Sequence, residues 1–281
     1  MIFALMSILV GCNNNDTTLN SAKEQEQTLN SANEVVLYSE VNWTPLNPAR
    51  GDQSPQAGTL WGDRGAEVKT GFLVKFKEGF SSPPHIHNVT YRGIVIEGLI
   101  HNDDPEAAKM WMPSGSYWTQ PAGEPHITAA KGQENMAFIE IQNGPYLVRP
   151  TEQAFDNGER PINVDSSNIV WVNMSDQSAT TINPKVAYLW DYPNEQQLKG
   201  MLVKLPIGFI GKIESTGSEF RAVVIKGKLE YQLPNNGAIK VLQAGSYFSS
   251  KGKATHQIAS KENEESIFYV RTNDEFEAIS K

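Results

Sequence analysis

Gly71-Phe72-Leu73-Val74-Lys75-Phe76-Lys77-Glu78-Gly79-Phe80 and Gly200-Met201-Leu202-Val203-Lys204-Leu205-Pro206-Ile207-Gly208-Phe209 are two versions of one phrase, 129 residues apart. Each is an apolar run that ends at a glycine-containing turn, as a strand and its turn would read. The same offset carries Leu60-Trp61 onto Leu189-Trp190, Arg92 onto Arg221 and Gly98 onto Gly227. An offset of 130 carries Gly115-Ser116-Tyr117-Trp118 onto Gly245-Ser246-Tyr247-Phe248, and His126 onto His256. The one-residue change fits a turn of different length. A register held over so long a stretch predicts two copies of one domain, joined near the polar, turn-prone segment Asp156-Asn157-Gly158-Glu159-Arg160-Pro161.

From Val35 onward, short runs rich in Val, Ile, Tyr, Phe and Trp alternate with Gly, Pro and Asn clusters. The pattern predicts many short strands and a mainly β fold. Helical periodicity is confined to two short candidates, residues 194–198 and 274–279. The 281 residues are 39% hydrophobic and 20% charged, enough for packed cores. A formal net charge of -8 argues against nucleic acid, whose phosphates demand a basic face.

Cys12 is the one cysteine, so no intrachain disulfide and no cysteine-based zinc knuckle can form. It follows an apolar run too short to span a bilayer, which needs about 20 residues, and the string Leu9-Val10-Gly11-Cys12 resembles the lipobox of bacterial lipoproteins. That resemblance implies a signal peptide over residues 1–12 and a lipid on Cys12. The protein is then expected to be exported and membrane-anchored, in the periplasm or at the cell surface. The absence of Lys or Arg before Cys12 departs from the usual signal. Residues 13–34 are polar, lack aromatics and nearly repeat Thr18-Leu19-Asn20-Ser21-Ala22-Lys23-Glu24 as Thr28-Leu29-Asn30-Ser31-Ala32-Asn33-Glu34. Such a stretch buries too little apolar area to offset its ordering entropy and reads as a disordered tether.

Three of the five histidines stand in one arrangement. His85 and His87 are two apart, so a strand would send both to the same face. His126 follows the Pro121-Ala122-Gly123 turn and could face the same interior from a neighbouring strand. Three neutral imidazoles suit Zn, Fe, Mn, Ni or Cu and leave coordination positions open; the alternative is an organic ligand bound without metal, the histidines serving as hydrogen-bond partners. His101, just past Gly98, is expected outside the ligand set. In the second copy the offset places Glu214, Thr216 and Phe220 where the first has His85, His87 and Tyr91, and only His256 survives. That half is expected to be structural. Arg92, retained as Arg221, reads as a structural residue facing away from Tyr91.

The spacing Gly79-x5-His85-x-His87 through Gly98, then Gly115-x5-Pro121-x-Gly123-x2-His126, resembles the paired motifs of the cupin superfamily. The glutamate of the first motif is replaced by Tyr91. The resemblance implies two cupin-type antiparallel β-barrels, jelly-roll-like, from an internal duplication. Residues 35–160 would form an N-terminal barrel with a divalent transition metal (Zn, Fe, Mn or Ni) on His85, His87 and His126. Residues 161–281 would form a degenerate C-terminal barrel. Tyr91, at the glutamate position, would point inward as a catalytic proton donor, a ligand to ferric iron or a shaper of the pocket. The aromatic strings Met110-Trp111-Met112 and Tyr117-Trp118 could line a pocket or belong to the core. The chain also resembles a bacterial family related to anti-sigma-factor cupin domains, which implies a zinc site and a sensing role, although an exported location argues against a cytoplasmic sigma-factor partner. Two functions follow: a metal-dependent enzyme acting on a small molecule, of oxygenase or isomerase type, and a non-catalytic metal- or ligand-sensing module. A homodimer is compatible with either.

Overall fold

The computed structural model describes residues 33–174, 183–192, 197–234, 237–260, 263 and 265–281. Cys12 and most of the expected tether lie outside them. No helix among the described residues is long and apolar enough to cross a membrane.

The chain is antiparallel β throughout, in two halves that repeat one plan. The N-terminal half is built on a seven-stranded sheet whose neighbours run Ile162–Val164, Tyr117–Gln120, Tyr91–Glu97, Asn135–Ile141, Thr70–Phe76, Gln56–Trp61, Trp43–Pro45. The C-terminal half has the corresponding order: Glu34–Val36, Tyr247–Ser250, Phe220–Lys226, Ser266–Thr272, Leu198–Leu205, Lys185–Tyr192, Val172–Asn173. Opposite this second large sheet lies a continuous five-stranded one. In the N-terminal half the opposite layer is broken into two short pairs, Ile86–His87 with Val148–Arg149 and Ile100–Asp103 with Ile127–Ala130. Two layers closing on an apolar interior are the jelly-roll solution to the exposed edges of a β-sheet.

Each half has its own core. Phe72, Val95, Trp118 and Ile139 fill the first, and Phe209, Phe220, Phe248 and Phe268 the second. A third apolar layer forms where the large sheets meet, with Trp61, Leu73, Ile94 and Phe138 against Leu202, Val223, Tyr247 and Tyr269. The duplication is visible in this contact. The Arg92 guanidinium lies 4.2 Å over the Trp190 ring, and its counterpart Arg221 lies 5.1 Å over Trp61. Arg92 therefore does face away from the site, and it reaches the other half through a cation–π contact and a hydrogen bond to the Tyr192 hydroxyl.

Four expectations need correction. Residues 276–280 form the strand Phe276–Ser280, not a helix, because Ala278 turns inward while the strand pairs with Ile210–Ser215. In the other candidate helix, residues 194–196 lie outside the described residues, and Leu198 opens a strand. The tether ends before residue 34, since Glu34–Val36 pairs with Tyr247–Ser250 and Asn33 donates to the Tyr231 hydroxyl at 3.2 Å. The sheets also do not divide at 160/161. Glu34–Val36 completes the C-terminal sheet, and Ile162–Val164 pairs with Tyr117–Gln120 of the N-terminal one. Each half thus lends an edge strand to the other, which covers a strand edge that would otherwise be open.

Candidate metal centre

His85, His87 and His126 come together at the inner layer of the N-terminal half. Each offers a ring nitrogen, and the three nitrogens lie within 4.8 Å of one another. The backbone explains the approach. His85 and His126 form a two-way antiparallel bridge, with N–H to carbonyl distances of 3.1 and 3.0 Å. The Gly123 N–H donates to the His87 carbonyl at 2.8 Å, tying the turn before His126 to the strand that carries His87. Gly123 sits at φ +79° with Phe155 packed where a Cβ would stand, so this turn needs glycine.

The orientation of the rings decides what they can do. In each, Nδ1 meets a backbone carbonyl: Pro83 at 2.9 Å for His85, Leu147 at 3.1 Å for His87 and Glu124 at 3.2 Å for His126. A carbonyl only accepts, so Nδ1 carries the proton and Nε2 keeps its lone pair. Backbone acceptors of this kind hold metal-binding imidazoles in one tautomer and one orientation. Burial holds all three rings neutral, lowering His85, pulling His87 well below the ordinary value and bringing His126 down to about 3. Repulsion from neighbouring rings adds to this at His87 and His126, and the Arg50 charge does so at His85. The donor set therefore fits a divalent transition metal, with three deprotonated imidazole nitrogens, no carboxylate and room for further ligands.

Tyr91 stands beside the triad. Its hydroxyl lies 2.8 Å from Asn102 Oδ1 and 3.3 Å from His126 Nε2. Thr128 Oγ1 donates to the same Asn102 oxygen at 2.7 Å, and Asn102 Nδ2 donates to Gln120 Oε1 at 2.9 Å. This network orients the phenol, and burial raises its pKa, so it is neutral. Sequence motifs alone miss Tyr146, whose hydroxyl lies 3.2 Å from His87 Nε2 and whose ring stacks on that imidazole at 4.3 Å. Tyr146 lies beyond both motifs, and no spacing rule points to it. His101 lies outside the triad, buried in the strand Ile100–Asp103 beside Trp111. His85, His87 and Tyr91 open onto a cavity of about 200 Å³ walled by Val74, Phe76, Phe80 and Ile139, with Arg50 and Tyr146 also on its lining. Of the aromatic strings, Trp118 lines the cavity, Met112 is core and Tyr117 packs between the halves.

The C-terminal half has no such site among its described residues. Strand pairing also corrects the alignment. Ile213 faces His256 as His85 faces His126, so Ile213 and Ser215, not Glu214 and Thr216, stand in place of His85 and His87. A residue is missing from the turn after Phe209, and a one-residue slip exchanges the two faces of a strand. Glu214 is exposed and paired with Lys212, whereas His256 is buried. Both His256 nitrogens are occupied, Nδ1 by the Tyr231 hydroxyl at 2.7 Å and Nε2 by the Ser250 hydroxyl at 3.0 Å. Tyr231 stands where the first half has Asn102, and Phe220 where it has Tyr91. Larger rings fill the space.

These buried histidines make stability depend on pH. Burial brings His256 down to about 3, below its unfolded value of about 6.5, so the native ring stays neutral while the unfolded chain takes up a proton. Its contribution is complete above pH ~6.5 and is lost as pH falls, by about 1.4 kcal/mol per pH unit. In metal-free protein His87 and His126 act in the same direction. Between pH ~6.5 and ~5, before unfolded carboxylates titrate, the unfolding free energy should fall as pH falls, with a slope that builds towards roughly three protons from His87, His126 and His256, to which His85 and His101, lowered in the same direction, add. A flat profile in urea titrations would contradict the neutral, buried rings.

A β-sandwich half with three inward imidazoles and an adjoining cavity is a cupin-type fold with a candidate metal centre. The family model described as "Domain of unknown function (DUF4437)" matches residues 34–279, and the chain belongs to that family. Solved structures share the fold at low identity. A candidate dioxygenase from Nostoc punctiforme PCC 73102 has TM-score 0.64 and 14% identity, over 89% of this chain and 87% of that one. A candidate glyoxylate-induced protein from Pseudomonas aeruginosa has 0.58 and 15%, over 89% and 90%. The oxalate decarboxylase of Lactobacillus farciminis has 0.54 and 14%, over 89% and 88%. No curated protein sequence matches.

Proposed function

We propose that this chain is a lipid-anchored bicupin that holds a divalent transition metal on His85, His87 and His126 and acts as a metal-dependent enzyme on a small molecule. One observation supports this above the others: one ring nitrogen from each histidine lies within 4.8 Å of the others beside a cavity, and each ring's Nδ1 meets a backbone carbonyl that leaves Nε2 its lone pair. A structural zinc site closes its shell with four protein ligands, whereas three leave room for a reactant. This favours an enzyme over a sensor whose metal is only structural. The metal would supply Lewis acidity or a centre for oxygen chemistry.

The protein's own groups would do the rest. The backbone carbonyls of Pro83, Leu147 and Glu124 hold the tautomers. Asn102 and Gln120 hold Tyr91, whose hydroxyl stands beside the His126 ring. Tyr146, whose hydroxyl meets the His87 ring, can turn its O–H to a ligand once that ring nitrogen is engaged. The apolar wall keeps bulk water from the reacting face.

Metal analysis of the purified full chain tests the reading. Wild type should carry close to one transition-metal ion per chain, and His85→Ala/His87→Ala should lose most of it. Equal metal in both would refute the site. Oxygen uptake by iron-loaded protein would favour an oxygenase; tightly held zinc without turnover would favour the sensing module. For the anchor, Cys12→Ser should move the protein from the membrane fraction to the soluble one, and unchanged membrane association would argue against lipidation at this residue.

A further inference from the structure

The cavity is apolar on its walls and one-sided in charge. Among the described residues, no Asp or Glu lines it. The one fixed charge among the described lining residues is the Arg50 guanidinium. Replacement of the motif glutamate by Tyr91 removes the anion that would partly balance a metal. A divalent ion on three neutral rings would therefore add two positive charges to that of Arg50, in a half-enclosed space with nothing negative on its described lining to answer them. Uncompensated charge of this kind strongly favours an anionic ligand.

Arg50 is placed to meet one. It lies in the 3-10 segment Pro48–Gln53, whose ends are pinned: Leu46 N–H donates to the Pro55 carbonyl at 2.8 Å, and Asn47 N–H to Ser54 Oγ at 2.9 Å. Lys77 Nζ donates to the Asp52 carbonyl at 2.6 Å and holds the tip of the segment. The guanidinium sits 5.7 Å from the Phe80 ring centroid, at the long end of a cation–π contact, and makes no ion pair with any described residue. Its planar fork matches a carboxylate in two-point contact. The rest of the cavity asks for something else. Val74, Phe76, Phe80 and Ile139 give an apolar surface, and an enclosed cavity of about 150 Å³ is enough for benzene. The 200 Å³ found here accommodates a ring with a carboxylate on it.

We propose that the ligand of this cavity is a small carboxylate with an apolar, ring-sized body, its carboxylate paired with Arg50 and its body against the Phe76 and Phe80 wall. The assignment rests on the metal reading above and deepens it by naming the substrate class. Arg50 is a binding and specificity residue in this account and takes no part in holding the metal.

Calorimetric titration of the zinc-loaded full chain with benzoate tests it, after zinc uptake has been measured separately. Benzoate is expected to bind at least tenfold tighter than benzyl alcohol, which lacks the charge, and at least tenfold tighter than acetate, which lacks the ring. Arg50→Gln should weaken benzoate by about 10- to 100-fold, the scale of a hydrogen bond between charged groups, with zinc stoichiometry unchanged. Arg50→Lys should recover part of that loss. If wild type takes up zinc but benzoate does not bind, or binds Arg50→Gln as well as wild type, the carboxylate assignment is overturned and the metal reading stands. If wild type takes up no zinc, the metal reading fails first, and the assignment with it.

Discussion

His126→Ala is expected to abolish the stabilisation of the fold by metal. A ligand that binds only the native state stabilises it by about 2.7 kcal/mol when its concentration is about 100 times its dissociation constant. For a chain of this size that raises the unfolding midpoint by roughly 5 °C. His126 is fully buried, supplies one of three converging nitrogens and bridges His85 through the backbone. Removing a group that only orients a ligand costs roughly 10–100-fold in metal affinity, so removing the ligand itself should cost more. The prediction concerns the difference between metal-loaded and metal-free samples of each protein. Any loss of packing in the variant then cancels. Differential scanning calorimetry should show the upward shift with zinc in wild type and none in His126→Ala. A shift of equal size in both would mean that the metal binds elsewhere.

Glu219→Gln is expected to cost about 3–5 kcal/mol of stability, the scale for breaking a buried ion pair from one side. Glu219 lies at the contact between the halves. It accepts from Arg271 Nε at 2.8 Å and from Arg221 Nε at 3.1 Å, and it pairs with Lys69 from the N-terminal half. Arg271 is nearly inaccessible and has one other acid, Glu140, at 3.6 Å. Burial alone would raise the Glu219 carboxyl, but the Arg271 guanidinium, with help from Lys69, holds it at about 2. Removing its charge leaves Arg271 buried, with Glu140 as its one remaining acid, and the half-buried Arg221 without its acidic partner. Urea unfolding of the two proteins would measure the loss. The exposed pair between Arg160 and Asp156 is the control, and Arg160→Ala should unfold as wild type does. A Glu219→Gln variant as stable as wild type would show that the cluster is solvated and does not join the halves.

How much of this was legible in the sequence depended on whether the signal was local. The duplication was readable because Gly79 and Gly98 and their counterparts Gly208 and Gly227 mark turns at a constant spacing. The triad was readable because His85 and His87 share a strand face and His126 follows its own turn. The register of the second copy was not readable, because the missing residue lies in an irregular turn and only the pairing of Ile213 with His256 shows it. Residues 274–279 misled because Phe276 and Ala278 are two apart in so short a run that helix and strand periods barely differ. The end of the tether was hidden for another reason. Glu34–Val36 is held by pairing with Tyr247–Ser250, more than two hundred residues away, and its own composition carries no sign of it. Arg50 and Tyr146 reach the cavity from loops on either side of the motifs, so tertiary structure alone brings them to the histidines.

X-ray absorption at the zinc edge, on zinc-loaded full chain, tests the centre most directly. The account predicts a first shell with three imidazole nitrogens at about 2.0–2.1 Å, completed by light-atom scatterers that change when benzoate is added, with no sulfur. A shell with one imidazole or none would contradict it.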